Sequence, residues 1–425
     1  MVRTGARGKL ALAGAVAVGC AATSMAMYRE VTTFGKPEYL QTGMDFSNNT
    51  WRAVRDLLSG ANIYAPTHEI IPGIGPAWPV SQHVPASLLW QAPVAALPLP
   101  AALFAFTFAS ILAIWAAVFV LTRPRTPEAV LLAACCGAFA ICVGGGPVTL
   151  LMGQPTGFAL LGLAIVVRAR RPWAAATGFL LAASTLQTGI PLALALLVLG
   201  GWPVVWRGVT LALTCSVPVV ALEVANAGLG GFVGSFVSGA GVHVERLNNR
   251  IDLGALLDRL GVPELWIRVG AGLAVLALAL AFLTLLPRRL RRLDQPAVLC
   301  VVIAATLACV YHQPYDMLLV GGAVVPVILV IDQSRAMLPA FAVAGISAGL
   351  SSYQFALVPE GIAVVLLGGL SAAAAWRAAR GADADAQPAT GRQPAANAQP
   401  ATNAQPAAGG PAAGQAVALG TTAAP

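Results

Sequence analysis

Asp45 is the residue whose surroundings most invite chemistry. It sits in Gly43-Met44-Asp45-Phe46, just after the first apolar run, and a short amphipathic stretch from Ser47 to Leu58 follows, closed by Ser59-Gly60-Ala61-Asn62-Ile63-Tyr64. Val54, Leu57, Leu58 and Ala61 recur at helical spacing on one face, with Arg52, Arg55 and Asp56 on another. That is the pattern of a helix lying at a membrane interface. A carboxylate held beside such a helix suits a general base toward a hydroxyl. It suits an N-cap of the helix starting near Ser47 equally well, since Asp is a favoured cap.

Other polar groups gather in the later breaks between apolar runs. Tyr311-His312-Gln313-Pro314-Tyr315-Asp316 is a Pro-containing turn too short to leave the interface, so His312 and Asp316 are held near a membrane surface. His312 fits a lipid phosphate or a sugar hydroxyl; a hydrated turn is the plainer reading. Leu247-Asn248-Asn249-Arg250-Ile251-Asp252 follows His243, Glu245 and Arg246. Arg246 and Arg250 offer planar, bidentate forks for phosphate, or are ordinary solvated charges. Gln154, in Met152-Gly153-Gln154-Pro155-Thr156, reaches a sugar or phosphate oxygen from a helix start, although such a start needs no function. Gln187 is a polar amide in an apolar bundle, a binding group or structural glue. His243-x-Glu245 supplies two ligands without a third, so no metal is assigned.

The elements that must position these groups are membrane helices. The chain is 58% hydrophobic and 10% charged, against roughly 25% charged residues in soluble domains. The sequence therefore predicts an all-α polytopic membrane protein. Its net charge of +8 sits in short clusters between apolar runs, which is topology information and no sign of nucleic acid. All seven Cys lie inside apolar runs, so neither a disulfide framework nor a zinc site is indicated.

A retained first span runs to about Met27, and residues 29–85 form a long extracytoplasmic loop carrying Asp45 and the juxtamembrane helix. Pro85 to Pro98 is too short to span and re-enters or lies flat. Further spans fall near 100–121, 127–144, 156–168, 173–187, 189–204, 208–224, 265–286, 296–311, 316–331, 336–353 and 359–376, for a bundle of about 12 transmembrane helices. In this scheme the arginine clusters fall on one side, which is the cytoplasm. The opposite side collects the 29–85 loop, Gly144 to Pro155, the loop from about 225 to 263, and all four histidines. Residues 1–380 make one transmembrane domain. Gln-Pro-Ala recurs at Gln387, Gln393, Gln399 and Gln405, and 381–425 reads as a disordered Ala/Pro/Gln-rich cytoplasmic tail.

The order of these features resembles glycosyltransferase family 87. The likeness covers roughly residues 10–376: an early Gly-x-Asp-Phe with a Leu-x-x-Gly-x-x-x-Tyr follow-on, a Pro-rich re-entrant piece, Gly-Gln before a Leu-rich span, Asn-Asn-Arg, and a late His/Asp turn. That family comprises GT-C-fold mannosyl- and arabinofuranosyltransferases of actinobacteria that use polyprenyl-phosphate sugars. The resemblance implies a GT-C-like bundle, Asp45 as the general base, Gln154 at the Gly-Gln position, Asn248 and Asn249 in a donor-side loop, and His312 at a late outer-loop histidine. Where the family has Tyr-Pro-Pro this chain has His83-Val84-Pro85, which adds His83 to the donor-side candidates. In place of Leu-Lys-Pro it has Leu186-Gln187-Thr188. Losing that lysine shifts donor-phosphate binding to Arg246 or Arg250.

The implied function is transfer of a sugar, arabinofuranose or mannose, from a polyprenyl-phospho-sugar donor to a cell-envelope glycan or glycolipid acceptor, on the extracytoplasmic face of the cell membrane. The lipid bilayer is a partner and nucleic acid is not. No cofactor is called for, and no ligand set supports a divalent cation. The alternative from another class is a non-catalytic polytopic protein, a lipid-linked sugar flippase or transporter, or an inactive scaffold relative. Transporters show repeated halves and mid-membrane charges, whereas here the charges gather at one surface.

Overall fold

The computed structural model describes residues 5–34, 43–65, 70–71, 75–76, 83–184, 202–242, 261–262 and 314–332, together with 299, 303, 306 and 307. The expected spans at 265–286, 336–353 and 359–376, most of those at 189–204 and 296–311, and the tail 381–425 lie outside these residues. Apart from a two-residue antiparallel ribbon, Ile70–Ile71 (β1) with Gly75–Pro76 (β2), the elements among the described residues are helical.

The chain opens with α1, Ala6–Thr33. The helical run after it is α2 (Met44–Phe46), a π-helical stretch Ser47–Arg52, and α3 (Ala53–Leu58). Then come α4 (Pro85–Ala95), α5 (Leu99–Thr122), α6 (Pro127–Cys142), α7 (Gly146–Met152), α8 (Thr156–Arg168), α9 (Pro172–Ala182) and α10 (Trp202–Val242). A 3-10 turn, Pro314–Met317, leads into a helical segment with π-helical runs Val320–Val324 and Val327–Asp332. The starts follow local chemistry. Pro127 opens α6 behind Thr126, whose hydroxyl accepts from Ala129 N at 3.2 Å, so a missing N–H and a side-chain cap deal with the first orphan donors.

Among the described residues three helices are long and apolar enough to cross a membrane, Ala6–Thr33, Leu99–Thr122 and Trp202–Val237. A fourth arises if α6 and α7, bent by 52° at their break, form one span. At 13 and 11 residues α8 and α9 extend only about 20 Å or less, short of a ~30 Å hydrocarbon core. They pack against each other closely because Gly162 and Gly178 face across the contact: a Cβ on Gly162 would come 2.4 Å from Gly178 O. Small residues of this kind let membrane helices approach. The main apolar core lies between α5, α6, α8 and the late segment, with Ile114, Leu121, Ala140, Leu160, Met317 and Leu318 buried.

Three expectations change. The loop placed at 225–263 is helical to Val242, because α10 runs on through its Gly-rich half. Glycine there signals a turn, yet the segment stays apolar, and the chain departs from helical geometry at Gly228 alone (φ 71°, ψ 161°). Second, the break from Gly144 to Pro155 contains α7, started by Gly145-Gly146-Pro147 and burying Val148, Thr149 and Leu150. Third, the outer-loop helix begins at Met44, and its buried face is Asn49, Thr50, Ala53, Val54 and Leu57; Leu58 is 72% exposed and Ala61 is exposed. Leu58 is the last residue of α3 and Ala61 lies past its end, so the buried stripe stops at Leu57.

Candidate active site

Asp45 lies inside the first helical turn and is not its N-cap. The chain is fixed there from both sides: Gly43 N donates to Leu151 O of α7 at 2.6 Å, and Ser47 N donates to Gly43 O at 2.7 Å. The Asp45 side chain keeps partial exposure. Its Oδ2 accepts a hydrogen bond from Gln154 Nε2. Residues 109 apart in sequence thus form one pair.

Gln154 reaches Asp45 because α7 ends abruptly. Gly153 takes the left-handed conformation (φ 70°), and Gln154 N donates back to Thr149 O at 2.9 Å. Pro155 then starts α8. The turn also presses on the other chain, since a Cβ on Gly153 would lie 2.5 Å from Phe46 Cβ. Below the pair is an aromatic floor. Phe46, fully buried, stacks on Phe106 with centroids 4.6 Å apart; Phe106 meets Phe158 at 5.4 Å, and Phe158 meets Trp90 at 4.9 Å.

The electrostatics follow from this packing. Asp45 is outside the spanning helices, and burial pushes its carboxyl up to about 6, opposed by the Gln154 hydrogen bond, which favours the charged form. The residue as a whole is half-buried and packing surrounds its carboxyl, an environment that brings a carboxylate's proton exchange near neutrality.

The other candidates are placed as follows. Asp316 is 7% exposed in the 3-10 turn Pro314–Met317. That turn rests on the start of α7: a Cβ on Gly145 (φ 85°) would lie 2.3 Å from Leu318 N. Asp316 and Asp45 are therefore anchored near opposite ends of α7, roughly 10 Å of helix apart. His83 is 5% exposed just before α4, and burial lowers its imidazole to about 4. Its carbonyl accepts from the Tyr64 hydroxyl at 3.1 Å. Thr50 pairs with Gln91, and Leu57 clusters with Leu88. This pairing runs α4 antiparallel to the outer-loop helix and puts His83 at the end far from Asp45. Arg246, Arg250, Asn248, Asn249, His312 and Gln187 lie outside the described residues. Among the described residues no three His, Cys, Asp or Glu side chains converge as metal ligands.

Sequence reasoning missed several residues that build this region. Thr50 Oγ1 donates to Gln91 Oε1 at 2.7 Å and ties the Asp45 helix to α4. Asn226 and Glu223 of α10 hold its other end: Asn226 Nδ2 donates to Leu57 O at 3.1 Å and Ala61 O at 3.2 Å, and Glu223 Oε1 accepts from Ile63 N at 3.1 Å. Glu30, 4% exposed in the last turn of α1, lines a cavity of about 30 Å³ with Arg29, Cys142 and Leu151. An acid at the end of an apolar run was the available signal for Glu30. For Thr50 and Gln91, 41 residues apart, there was none.

The family model of glycosyltransferase family 87 matches residues 82–312, more than half of the chain. The matched stretch contains His83, Gln154, Gln187, Arg246, Asn248, Asn249, Arg250 and His312, while Asp45 precedes it and Asp316 follows it. No curated protein matches the chain.

Proposed function

The chain belongs to glycosyltransferase family 87 and is a membrane glycosyltransferase; on that premise we propose that it transfers arabinofuranose or mannose from a polyprenyl-phosphate donor to a cell-envelope glycan or glycolipid. In this reading the site faces the extracytoplasmic side of the cell membrane, and Asp45 is the general base. The observation that supports it is the state of the Asp45 carboxylate. Oδ2 is occupied by the Gln154 amide, and Oδ1 has no hydrogen-bond partner among the described residues. With the group held up at about 6 by burial, Oδ1 accepts a hydroxyl proton at neutral pH and releases it again to solvent.

The step balances as follows. The acceptor hydroxyl gives its proton to Asp45 Oδ1, its oxygen bonds to the anomeric carbon, and the bond from that carbon to the phosphate oxygen breaks. The polyprenyl phosphate leaves with the electron pair. Its charge is met in this proposal by Arg246, Arg250 and His312, with Asn248 and Asn249 on the donor side. No metal enters the step.

The test is transfer by the full chain in membranes, supplied with polyprenyl-phospho-mannose and polyprenyl-phospho-arabinofuranose, for the native protein and Asp45→Asn. Loss of about 100-fold or more in rate, the size usual for removing a general base, is expected. Transfer at the native rate by Asp45→Asn removes the base assignment. Turnover of neither donor by the native protein removes the donor class.

A further inference from the structure

We propose that Gln154 is a positioning residue for Asp45: its amide fixes which carboxylate oxygen takes the proton, and it does not bind the donor. The inference rests on the proposed role of Asp45 and goes beyond it, because the polar amide after Gly153 reads from sequence as a sugar or phosphate ligand.

Geometry carries the argument. Gln154 is 6% exposed, and its backbone is held by the bond to Thr149 O behind and by Pro155 ahead. The side chain that leaves this fixed point ends on Asp45 Oδ2. An amide facing a carboxylate must present its NH2, because an oxygen facing an oxygen would be repelled. The bond therefore favours the ionised form of Asp45 and holds its rotamer, leaving Oδ1 as the working oxygen.

Among the described residues no other charged group stands beside the Asp45 carboxyl. Neither α5 nor α7, the elements packed on α2, carries a titratable side chain. On the same helical run Arg52, Arg55 and Asp56 come seven or more residues later, where Arg52 Nε pairs with Asp56 Oδ2 at 3.2 Å and Arg55 lies 4.4 Å over the Trp51 ring. Glu30 lines its cavity beside Leu151, on the α1 side of α7. Among the described residues the proton affinity of Asp45 is thus set by burial and by one amide.

Gln154→Leu removes the donor at similar size, and Gln154→Glu keeps the shape but puts a second carboxyl against the first. Without the amide, Asp45 holds its proton to higher pH. The acid limb of kcat/KM in Gln154→Leu should move up by roughly one pH unit, the size expected for one hydrogen bond to a charged group. The Gln154→Glu limb should move further, as two carboxyls share a proton, and the donor KM should stay within about twofold in both. Infrared difference spectra of the protonated carboxyl band, assigned by its loss in Asp45→Asn, read the same titration without turnover. A donor KM that rises tenfold with the acid limb in place would make Gln154 a donor ligand and overturn the proposal. So would an infrared midpoint that stays put in both variants. If Asp45→Asn retains transfer, the base assignment fails, yet the infrared titration still decides whether Gln154 governs Asp45. If Gln154→Leu does not fold, Gln154→Glu carries the test.

Discussion

Gly153 and Phe46 meet with no room for a methyl group between them: a Cβ on Gly153 would stand 2.5 Å from the Phe46 Cβ, and Gly153 itself is left-handed at φ 70°. The contact joins the end of α7 to the first turn of the outer-loop helix, and Asp45 and Gln154 are the neighbours on either side. Gly153→Ala adds a left-handed strain of roughly 1–2 kcal/mol and an overpacking cost of roughly 1–3 kcal/mol. Phe46 is fully buried against Phe106, so the helix must move instead, and Asp45 moves with it. The expected result is a lower thermal midpoint in detergent together with a fall in transfer rate. A variant that keeps both would show that this contact does not set the Asp45–Gln154 geometry.

Asp45 should cost stability at neutral pH. Its carboxyl is raised to about 6 by burial, above the unfolded value of roughly 3.9. Between those values the folded chain holds a proton that the unfolded chain has released, so stability falls as pH rises through that window and stays lower above it. Asp45→Asn removes the titrating group. Thermal unfolding of the two proteins at pH 4 and pH 7.5 should show the variant gaining relative to the native chain at the higher pH, while its transfer is lost. A native chain that is the more stable at pH 7.5 would mean that Asp45 is paired by groups beyond Gln154.

His83 gives the opposite sign. Burial lowers its imidazole to about 4, below the unfolded value of roughly 6.5. As pH falls through 6.5 the unfolded chain takes up a proton that the folded chain refuses, and stability drops until about pH 4. His83→Gln should therefore lose less stability than the native protein between pH 7.5 and pH 5, whatever its fixed packing cost. The acid limb of transfer, which the proposed mechanism assigns to Asp45, should not move. Displacement of that limb in His83→Gln would bring His83 into the site.

How far the sequence spoke depended on the range of the signal. Composition and apolar run length are enough for an all-helical membrane protein, and the Gly-x-Asp-Phe and Gly-Gln stretches stand out in the sequence by themselves. The contact itself, across 109 residues, has no local signature. Glycine told half of the story: Gly228 does break the helix, but Gly230 and Gly231 stay helical, ahead of Phe232 and Phe236, which pack on the Tyr64 ring with centroids 5.9 and 5.1 Å away. The stripe of Val54, Leu57, Leu58 and Ala61 failed at its last two members. Periodicity does not mark where a helix stops: α3 ends at Leu58, and Ala61 lies past it.

The far end of the outer-loop helix yields a last prediction, because its polar clamp works at a distance from Asp45. Asn226 donates to Leu57 O and Ala61 O, Glu223 accepts from Ile63 N, and Asn62 Nδ2 donates to Ser235 Oγ at 3.0 Å. Glu223 and Asn226 precede the break at Gly228, and Ser235, Phe232 and Phe236 follow it. The turn after α3 therefore bridges both halves of α10. Leu57 O, in the last turn of α3, also takes a long bond from Gly60 N at 3.3 Å, and the Asn226 amide adds a shorter one. Asn226→Ala removes that donor from Leu57 O and Ala61 O, at roughly 1 kcal/mol. Hydrogen exchange should quicken across Leu57 to Tyr64 in this variant while the Asp45–Gln154 end stays protected, since Gly43 N to Leu151 O and the Phe46 packing are untouched. Exchange that quickens equally at both ends would mean that the helical run from Met44 to Leu58 is held as one unit, and that α10 governs the position of Asp45 directly.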